Sequence, residues 1–219
     1  MSDAIPDHVD RQLPRQALNV AAACVGLLVG APLMLLIGLA VRLTSPGPVL
    51  YRQTRVGLER RWRDLEGTNG RRQRDVGGRP FTIYKFRTMH VHDSDEVWAC
   101  PDDPRVTPLG RFLRKYRLDE LPQLLNVLRG EMNLVGPRPE QPKIFARLRE
   151  DIEHYPLRQR VPPGITGWAQ VNASYDSSTD DVRRKLRYDL EYVARCSVLE
   201  DLKIMVRTVP VVVFKRGAW

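Results

Sequence analysis

Cysteine is scarce in this sequence, acidic residues are outnumbered, and no stretch repeats. The three cysteines, Cys24, Cys100 and Cys196, are far apart, odd in number and free of any CxxC or Cys/His ligand spacing. That excludes a disulfide framework and a zinc site, and fits a reducing, cytoplasmic setting. Lys and Arg total 35 against 26 Asp and Glu, a formal charge of +9 and a pI near 9.8. Anionic partners follow, whether lipid headgroups, phosphorylated substrates or nucleic acid, and charge alone does not choose among them. RNP, KH and zinc-finger signatures are missing, which ranks a nucleic-acid binder low. The cluster His90, His92, Asp93, Asp95 alternates as ligands on a strand do, but it lies in a polar stretch beside Ser94 and Glu96 and reads more simply as solvated charge.

Charge is also absent from one long stretch, Ala17 to Val41, which contains "LLVGAPLMLLIGLAV". A secretory h-region covers about 7–15 residues and ends at a small-residue cleavage site, so a signal peptide does not fit. A buried soluble helix is shorter, and roughly 20 apolar residues already span a bilayer core. Arg11 and Arg15 precede the run, and Arg42, Arg52, Arg55, Arg60, Arg61 and Arg63 follow it, so both flanks prefer the cytoplasm. Pro32, with Gly26, Gly30 and Gly38 around it, supplies a bend at which a helix could reverse, though prolines also kink true spans. The physics leaves re-entrant and spanning readings open.

Three regions follow: a flexible lead at 1–16, the membrane segment at 17–43 and a globular domain at 44–219 of the α+β class, mainly helical. "TSPGPVLYRQTRVG" (44–57) mixes turn residues with a short strand, and "FTIYKFRTM" (81–89) alternates as a second. Between them, the Arg/Gly-rich 58–80 reads as a surface loop or a long hairpin. Thr107 as N-cap and Pro108 at the first helical position open a basic helix. Leu118, Leu121, Leu124, Leu125 and Leu128 then make an apolar stripe stopped by Gly130. "VPPGITGWAQVN" (161–172) reads as turn and short strand, 181–195 as a charged helix, and 199–214 as either an interfacial or a packed helix.

Chemistry concentrates in "RLDELPQLLNVLRGEMNLVGPRP", residues 117–139. By themselves Asp119 and Glu120 are best read as capping a helix start. Arg114 and Arg117 lie within about a turn of them, and Arg138 is held between Pro137 and Pro139. Carboxylates beside guanidinium groups are suited to phosphoryl transfer: one carboxylate attacks phosphorus, a second with a divalent ion neutralises phosphate oxygens, and arginines grip a diphosphate.

From about residue 14 to 214 the chain resembles the bacterial sugar transferases, the small monotopic phosphoglycosyl transferases. The broken apolar segment, "YRQTRVG", "YKFRTM", "LDELPQLLNVLRGEMNLVGPRP", "VPPGITGWAQVN" and "DLKIM" carry the resemblance, in order. It implies transfer of a sugar 1-phosphate from a UDP-sugar to undecaprenyl phosphate, releasing UMP by ping-pong chemistry. By that analogy Asp119 is the nucleophile, Glu120 binds Mg²⁺, Arg114 lies near the substrate phosphate, and Pro137, Arg138 and Pro139 form the family's Pro-Arg-Pro turn. Asp189 and Asp201 match acidic residues implicated in substrate binding, with helix surface charge as the alternative. The resemblance also implies a re-entrant helix-break-helix turning at Pro32, interfacial amphipathic helices, and a monotopic protein on the cytoplasmic face of the bacterial inner membrane. Membrane lipids are then partners, nucleic acid is not, and a homodimer through the membrane helix or the Arg-rich loop is compatible. Ala31 replaces the serine that often precedes the family's proline, which shifts the burden of the bend to Pro32, Gly30 and Asn19. Outside this reading stand a membrane-tethered binder of anions and a lipid pyrophosphatase; the first predicts no UMP release, the second no need for a lipid acceptor. No residue identifies the sugar or the glycoconjugate.

Overall fold

The computed structural model describes residues 9–59, 77–90, 103–173 and 179–214, with side chains from Leu13 onward. His92, Asp93 and Asp95 of the alternating cluster, and residues 60–76 of the Arg/Gly-rich segment, lie outside them.

A single helix, α1 (Val9–Thr44), begins the fold and contains both Pro14 and Pro32. Two expectations change here. Residues 9–16 of the supposed flexible lead are helical, because Arg15 and Asn19 are buried and bonded to the domain. The helix also runs through Pro32 without an interruption: proline removes one backbone donor, yet its φ remains helical. One narrow stripe of α1 is buried, with Arg15, Asn19 and Ala23 at one end and Ile37 and Val41 at the other. Around it Leu28, Val29, Leu35, Leu36 and Leu43 are all more than 60% exposed, an apolar surface that water does not tolerate and lipid does.

The strands β1 (Leu50–Val56) and β2 (Pro80–Phe86) pair antiparallel, from Leu50 opposite Phe86 to Val56 opposite Pro80. The two consecutive strands are thus the arms of a hairpin, and residues 60–76 of its connection lie outside the described residues. Helix α2 (Pro108–Lys115) starts as its sequence dictates, with Thr107 Oγ1 accepting from the Gly110 amide at 2.9 Å. Gly110 has no room for a side chain, since a Cβ there would sit 2.0 Å from the Thr88 carbonyl oxygen. The leucine-striped segment is two pieces, a 3-10 turn over Leu118–Gln123 and α3 (Leu124–Leu128), because Pro122 falls within it. Its leucines seat α1: Leu118 and Leu121 pack on the Ile37 and Val41 cluster, and Leu124 faces Gly26.

Two elements have no signature in the sequence, β3 (Asn133–Val135) and α4 (Pro142–Asp151). β3 pairs in parallel with β4 (Gly164–Thr166), and α5 (Trp168–Asn172) follows where only turn and strand were expected. α6 (Thr179–Arg195) and α7 (Val198–Val213) complete the chain. α7 buries Asp201 and Ile204 and leaves Leu199, Leu202, Val206, Val209 and Val213 exposed, an apolar stripe at three- and four-residue spacing.

Candidate active site

Asp119 and Glu120 come from the 3-10 turn, and its entry determines their aim. Arg117, the residue before the turn, has φ 57° and ψ 17°, a left-handed conformation that costs a non-glycine residue energy and reverses the chain out of α2. Capping is not their role, since neither carboxylate accepts from a backbone amide among the described residues. Both are buried, at 7% and 5% exposure.

Glu120 is clamped. Its Oε1 accepts from Lys85 Nζ at 2.8 Å and from Arg138 Nη2 at 3.0 Å, with Arg117 Nη1 at 4.0 Å. Burial opposes its ionisation, but Lys85, Arg138 and Arg117 outweigh that and hold it well below the usual carboxylate range. Asp119 differs. Its Oδ1 is buried without a hydrogen-bond partner, and burial followed by the adjacent Glu120 charge pushes its carboxyl up, against the pull of Lys85, Arg114 and Arg117. Four cations thus face two carboxylates. Arg114 is steadied by Nε donating to Thr88 Oγ1 at 2.9 Å. Lys85, which the sequence places only as one residue of a strand, is in fact the closest cation to Glu120; its signal was a lysine on the apolar face of β2 with Phe81 and Ile83.

The Pro-Arg-Pro turn brings Arg138 to this pair and is braced from behind. Gly136 admits the close strand pairing, since a Cβ there would lie 2.3 Å from the Pro162 oxygen; its amide donates to Thr166 O, and the Gly164 amide to Pro137 O. Asp189 and Asp201 are neither surface charges nor neighbours of Asp119; both are 2% exposed and support this turn. Asp189 pairs with Arg158 at 2.7 Å, and Arg158 Nη2 donates to the Arg138 carbonyl at 3.0 Å. Asp201 pairs with Arg15 of α1 at 2.9 Å and accepts from Tyr192 Oη, which also lies 3.0 Å from the Val135 carbonyl as its donor. Asn19, expected at the membrane bend, instead accepts from the Leu134 amide at 2.6 Å. A small, open cleft borders the turn, lined by Pro137, Arg138, Pro139, Phe145, Arg158 and Gln159, and the buried Gln159 Oε1 has no partner.

An unpartnered carboxylate beside a cation-clamped one, with positive charge in surplus, is a setting for nucleophilic attack on a phosphorus centre. Known sugar-phosphate transferases are similar to this chain in sequence. The chain is 41% identical over 202 residues to the UDP-glucose:undecaprenyl-phosphate glucose-1-phosphate transferase of Escherichia coli (strain K12), covering 90% of this chain and 40% of that protein. To the protein of the same name from Caulobacter vibrioides it is 42% identical over 202 residues, covering 90% of this chain and 69% of that one. The UDP-N-acetylgalactosamine-undecaprenyl-phosphate N-acetylgalactosaminephosphotransferase of Aeromonas hydrophila is 37% identical over 206 residues, 93% of this chain and 44% of its own. The chain therefore spans well under half the length of several relatives it matches. Residues 10–215, which hold the apolar helix, the acidic pair and the turn that serves it, match the profile described as bacterial sugar transferase, and the chain belongs to that family.

Proposed function

We propose that this protein transfers a sugar 1-phosphate from a UDP-sugar to undecaprenyl phosphate through a covalent intermediate on Asp119. The observation that carries this reading is the buried Asp119 carboxylate, which has no hydrogen-bond partner at Oδ1 and stands among Lys85, Arg114 and Arg117. An Asp119 oxygen attacks the phosphorus bonded to the sugar; the bond to the UMP oxygen breaks, and UMP leaves with the electron pair. An oxygen of undecaprenyl phosphate then attacks the same phosphorus, returning the electron pair to Asp119 and forming the polyprenyl diphosphosugar. Arg138 and Arg114 orient the diphosphate, and the surplus positive charge stabilises the developing negative charge. Asp189 and Asp201 act as positioning residues, through Arg158 and Tyr192, on the backbone that carries Arg138.

Adjacent carboxylates, one with a free oxygen, suit Mg²⁺, which binds through one or two carboxylates plus substrate phosphates and water. Among the described residues no group of three or more ligating side chains gathers; Glu120 would hold the ion through Oε2, since Oε1 accepts from Lys85 and Arg138, together with the donor's diphosphate. When bound, the ion supplies charge neutralisation at the phosphate oxygens.

The membrane placement belongs to the same proposal. Arg15 and Asn19 near one end of α1, and Val41 near the other, all bond to the one domain. A straight span would carry one end across about 30 Å of hydrocarbon, away from that domain. Support therefore lies with a helix bent at Pro32 without leaving helical backbone, entering and leaving on the cytoplasmic face, with the exposed stripe of α7 lying on the same surface. Cysteines introduced at the exposed Gln16 and Leu43 should both resist an impermeant maleimide added outside intact spheroplasts; labelling of either from outside contradicts the re-entrant reading.

The activity test is UMP release from a panel of UDP-sugars, UDP-glucose first, with undecaprenyl phosphate and Mg²⁺. A stoichiometric UMP burst without the lipid, turnover that requires it, and loss of both in Asp119→Asn support the proposal and name the donor. Full activity in Asp119→Asn refutes the nucleophile.

A further inference from the structure

Three separate segments converge on one carboxylate. Lys85 comes from β2, Glu120 from the 3-10 turn, and Arg138 from the turn that follows β3. Among the described strands β2 pairs only with β1, so its outer edge presents amides and carbonyls with no strand beside them. A two-stranded hairpin is by itself only marginally stable.

One side chain bridges the three segments. Asn126 of α3 is 0% exposed. Its Nδ2 donates to the Thr82 carbonyl at 2.7 Å, and its Oδ1 accepts from the Tyr84 amide at 3.3 Å. A donor to residue 82 and an acceptor from residue 84 reproduce the bonding of a parallel strand residue opposite Ile83, so this amide takes the place a third strand would occupy. The second Nδ2 hydrogen goes to Glu131 Oε2 at 2.7 Å, and the Glu131 amide donates back to the Asn126 carbonyl at 3.0 Å.

Each bonded residue lies close along the chain to a member of the Glu120 clamp. Tyr84 directly precedes Lys85, the 3-10 turn that carries Glu120 runs into α3 and Asn126, and Glu131 leads through β3 to Arg138. Packing of Ile83 against Val127 presses the same segments together, but apolar burial is non-directional. The bonds of Asn126 are directional, and they pin the β2 backbone on either side of Ile83 at hydrogen-bond length from α3. The Lys85 side chain, long and costly to order, starts one residue beyond that pin. We propose that Asn126 is a positioning residue that fixes β2 against the segment bearing the acidic pair and thereby holds Lys85 on Glu120. The catalytic consequence, a cation kept in place beside Asp119, rests on the transferase reading above; the positioning itself does not.

The reactivity of Lys85 reads the positioning directly. In the full chain in phosphatidylcholine nanodiscs, without substrate, an amine-reactive ester should label Lys85 slowly, because Nζ is enclosed and donates to Glu120. Asn126→Ala should raise that rate by roughly fivefold or more, the value of about one hydrogen bond, and leave the rate at the exposed Lys203 unchanged. Ile152→Ala, which empties a buried position in the Phe145 cluster, should lower the denaturant midpoint without changing the rate at Lys85. The UMP burst from the UDP-sugar then completes a double-mutant cycle. Asn126→Ala should slow the burst by about tenfold in the parent protein and by less than about twofold in Lys85→Met, since an effect carried through Lys85 disappears with it. Equal slowing in both backgrounds, or an unchanged Lys85 labelling rate in Asn126→Ala, overturns the proposal. So does an equal rise at Lys85 in Ile152→Ala, which would trace the labelling to general stability. If Asn126→Ala does not fold, Asn126→Asp keeps the shape and the acceptor while losing the amide donors, and an unchanged Lys85 rate in that variant overturns the proposal equally. No burst in the parent protein with any donor refutes the transferase reading instead, and the labelling still decides the role of Asn126.

Discussion

Two kinds of buried charge coexist in this protein. In the braces, Arg15 meets Asp201, and Arg158 meets Asp189 at 2.7 Å with Glu140 farther off at 3.6 Å, while Tyr192 and Tyr155 hydroxyls take up leftover bonding capacity. At the dyad the balance fails: Lys85, Arg114, Arg117 and Arg138 surround Asp119 and Glu120, and one oxygen of Asp119 has no partner. Balanced pairs hold backbone in place; the unbalanced cluster keeps capacity for an anion. Burial alone therefore does not distinguish structure from chemistry here, and charge stoichiometry does.

The sharpest way to break that distinction is to neutralise one acid of each kind. Asp119→Asn should abolish the UMP burst, a loss of about a thousandfold or more for a covalent nucleophile, while leaving the melting temperature unchanged or higher. The sign follows from the raised pKa: above its folded-state value the ionised Asp119 weighs against the fold, and the amide removes that charge. Asp201→Asn should do the reverse. It leaves Arg15 buried and unpaired at a cost of about 3–5 kcal/mol, read as a lower denaturant midpoint, with activity falling only as the fold does. Equal destabilisation by both substitutions would erase the distinction.

Smaller effects refine it. Arg138→Gln removes both the donor to Glu120 and a phosphate ligand, and should lower kcat/KM for the UDP-sugar by roughly 10- to 100-fold at nearly constant stability, since Arg138 is partly exposed. The matching change on the brace side is Arg158→Gln. It strands Asp189 as a buried, unpaired carboxylate and should lower the denaturant midpoint before it lowers kcat/KM. The burst rate should fall on acidification with an apparent pKa above the ordinary aspartate value of about 3.9. Arg114→Gln, by removing a cation that favours ionised Asp119, should move that limb to higher pH still. Raising salt from 0.05 to 0.5 M, concentrations chosen as roughly a threefold change in Debye length, should raise the donor KM and leave the braces' contribution to stability nearly untouched.

Much of the local architecture was legible in the residues. Thr107 and Pro108 announce α2 because a cap and a first-turn proline act within four residues, and the paired strands follow from alternation on either side of a glycine-rich segment. β3 was hidden because three residues carry no period, and α4 because its apolar positions are few. Asn19 shows the limit from the other side: beside an apolar run it suggests help at a bend, yet its side-chain carbonyl is spent on the Leu134 amide, 115 residues away. Lys85 stood out only as a lysine on an apolar strand face and Arg158 not at all, since nothing near them in the chain names Glu120 or Asp189 as a partner.

By itself the sequence marked the acidic pair as the candidate for chemistry and the apolar run as the candidate for lipid contact. An acidic pair among arginines and 25 uncharged residues from Ala17 to Val41 are compositional facts that survive any arrangement of the rest. Tertiary structure decided the division of labour among the acids. Asp119, Glu120, Asp189 and Asp201 are chemically alike, and their roles differ because Lys85 and Arg138 reach one, Arg158 and Arg15 neutralise two, and no donor reaches Asp119 Oδ1. Those partners come from distant positions in the chain, and Coulomb interactions and desolvation depend on distance in space, which the order of residues does not encode.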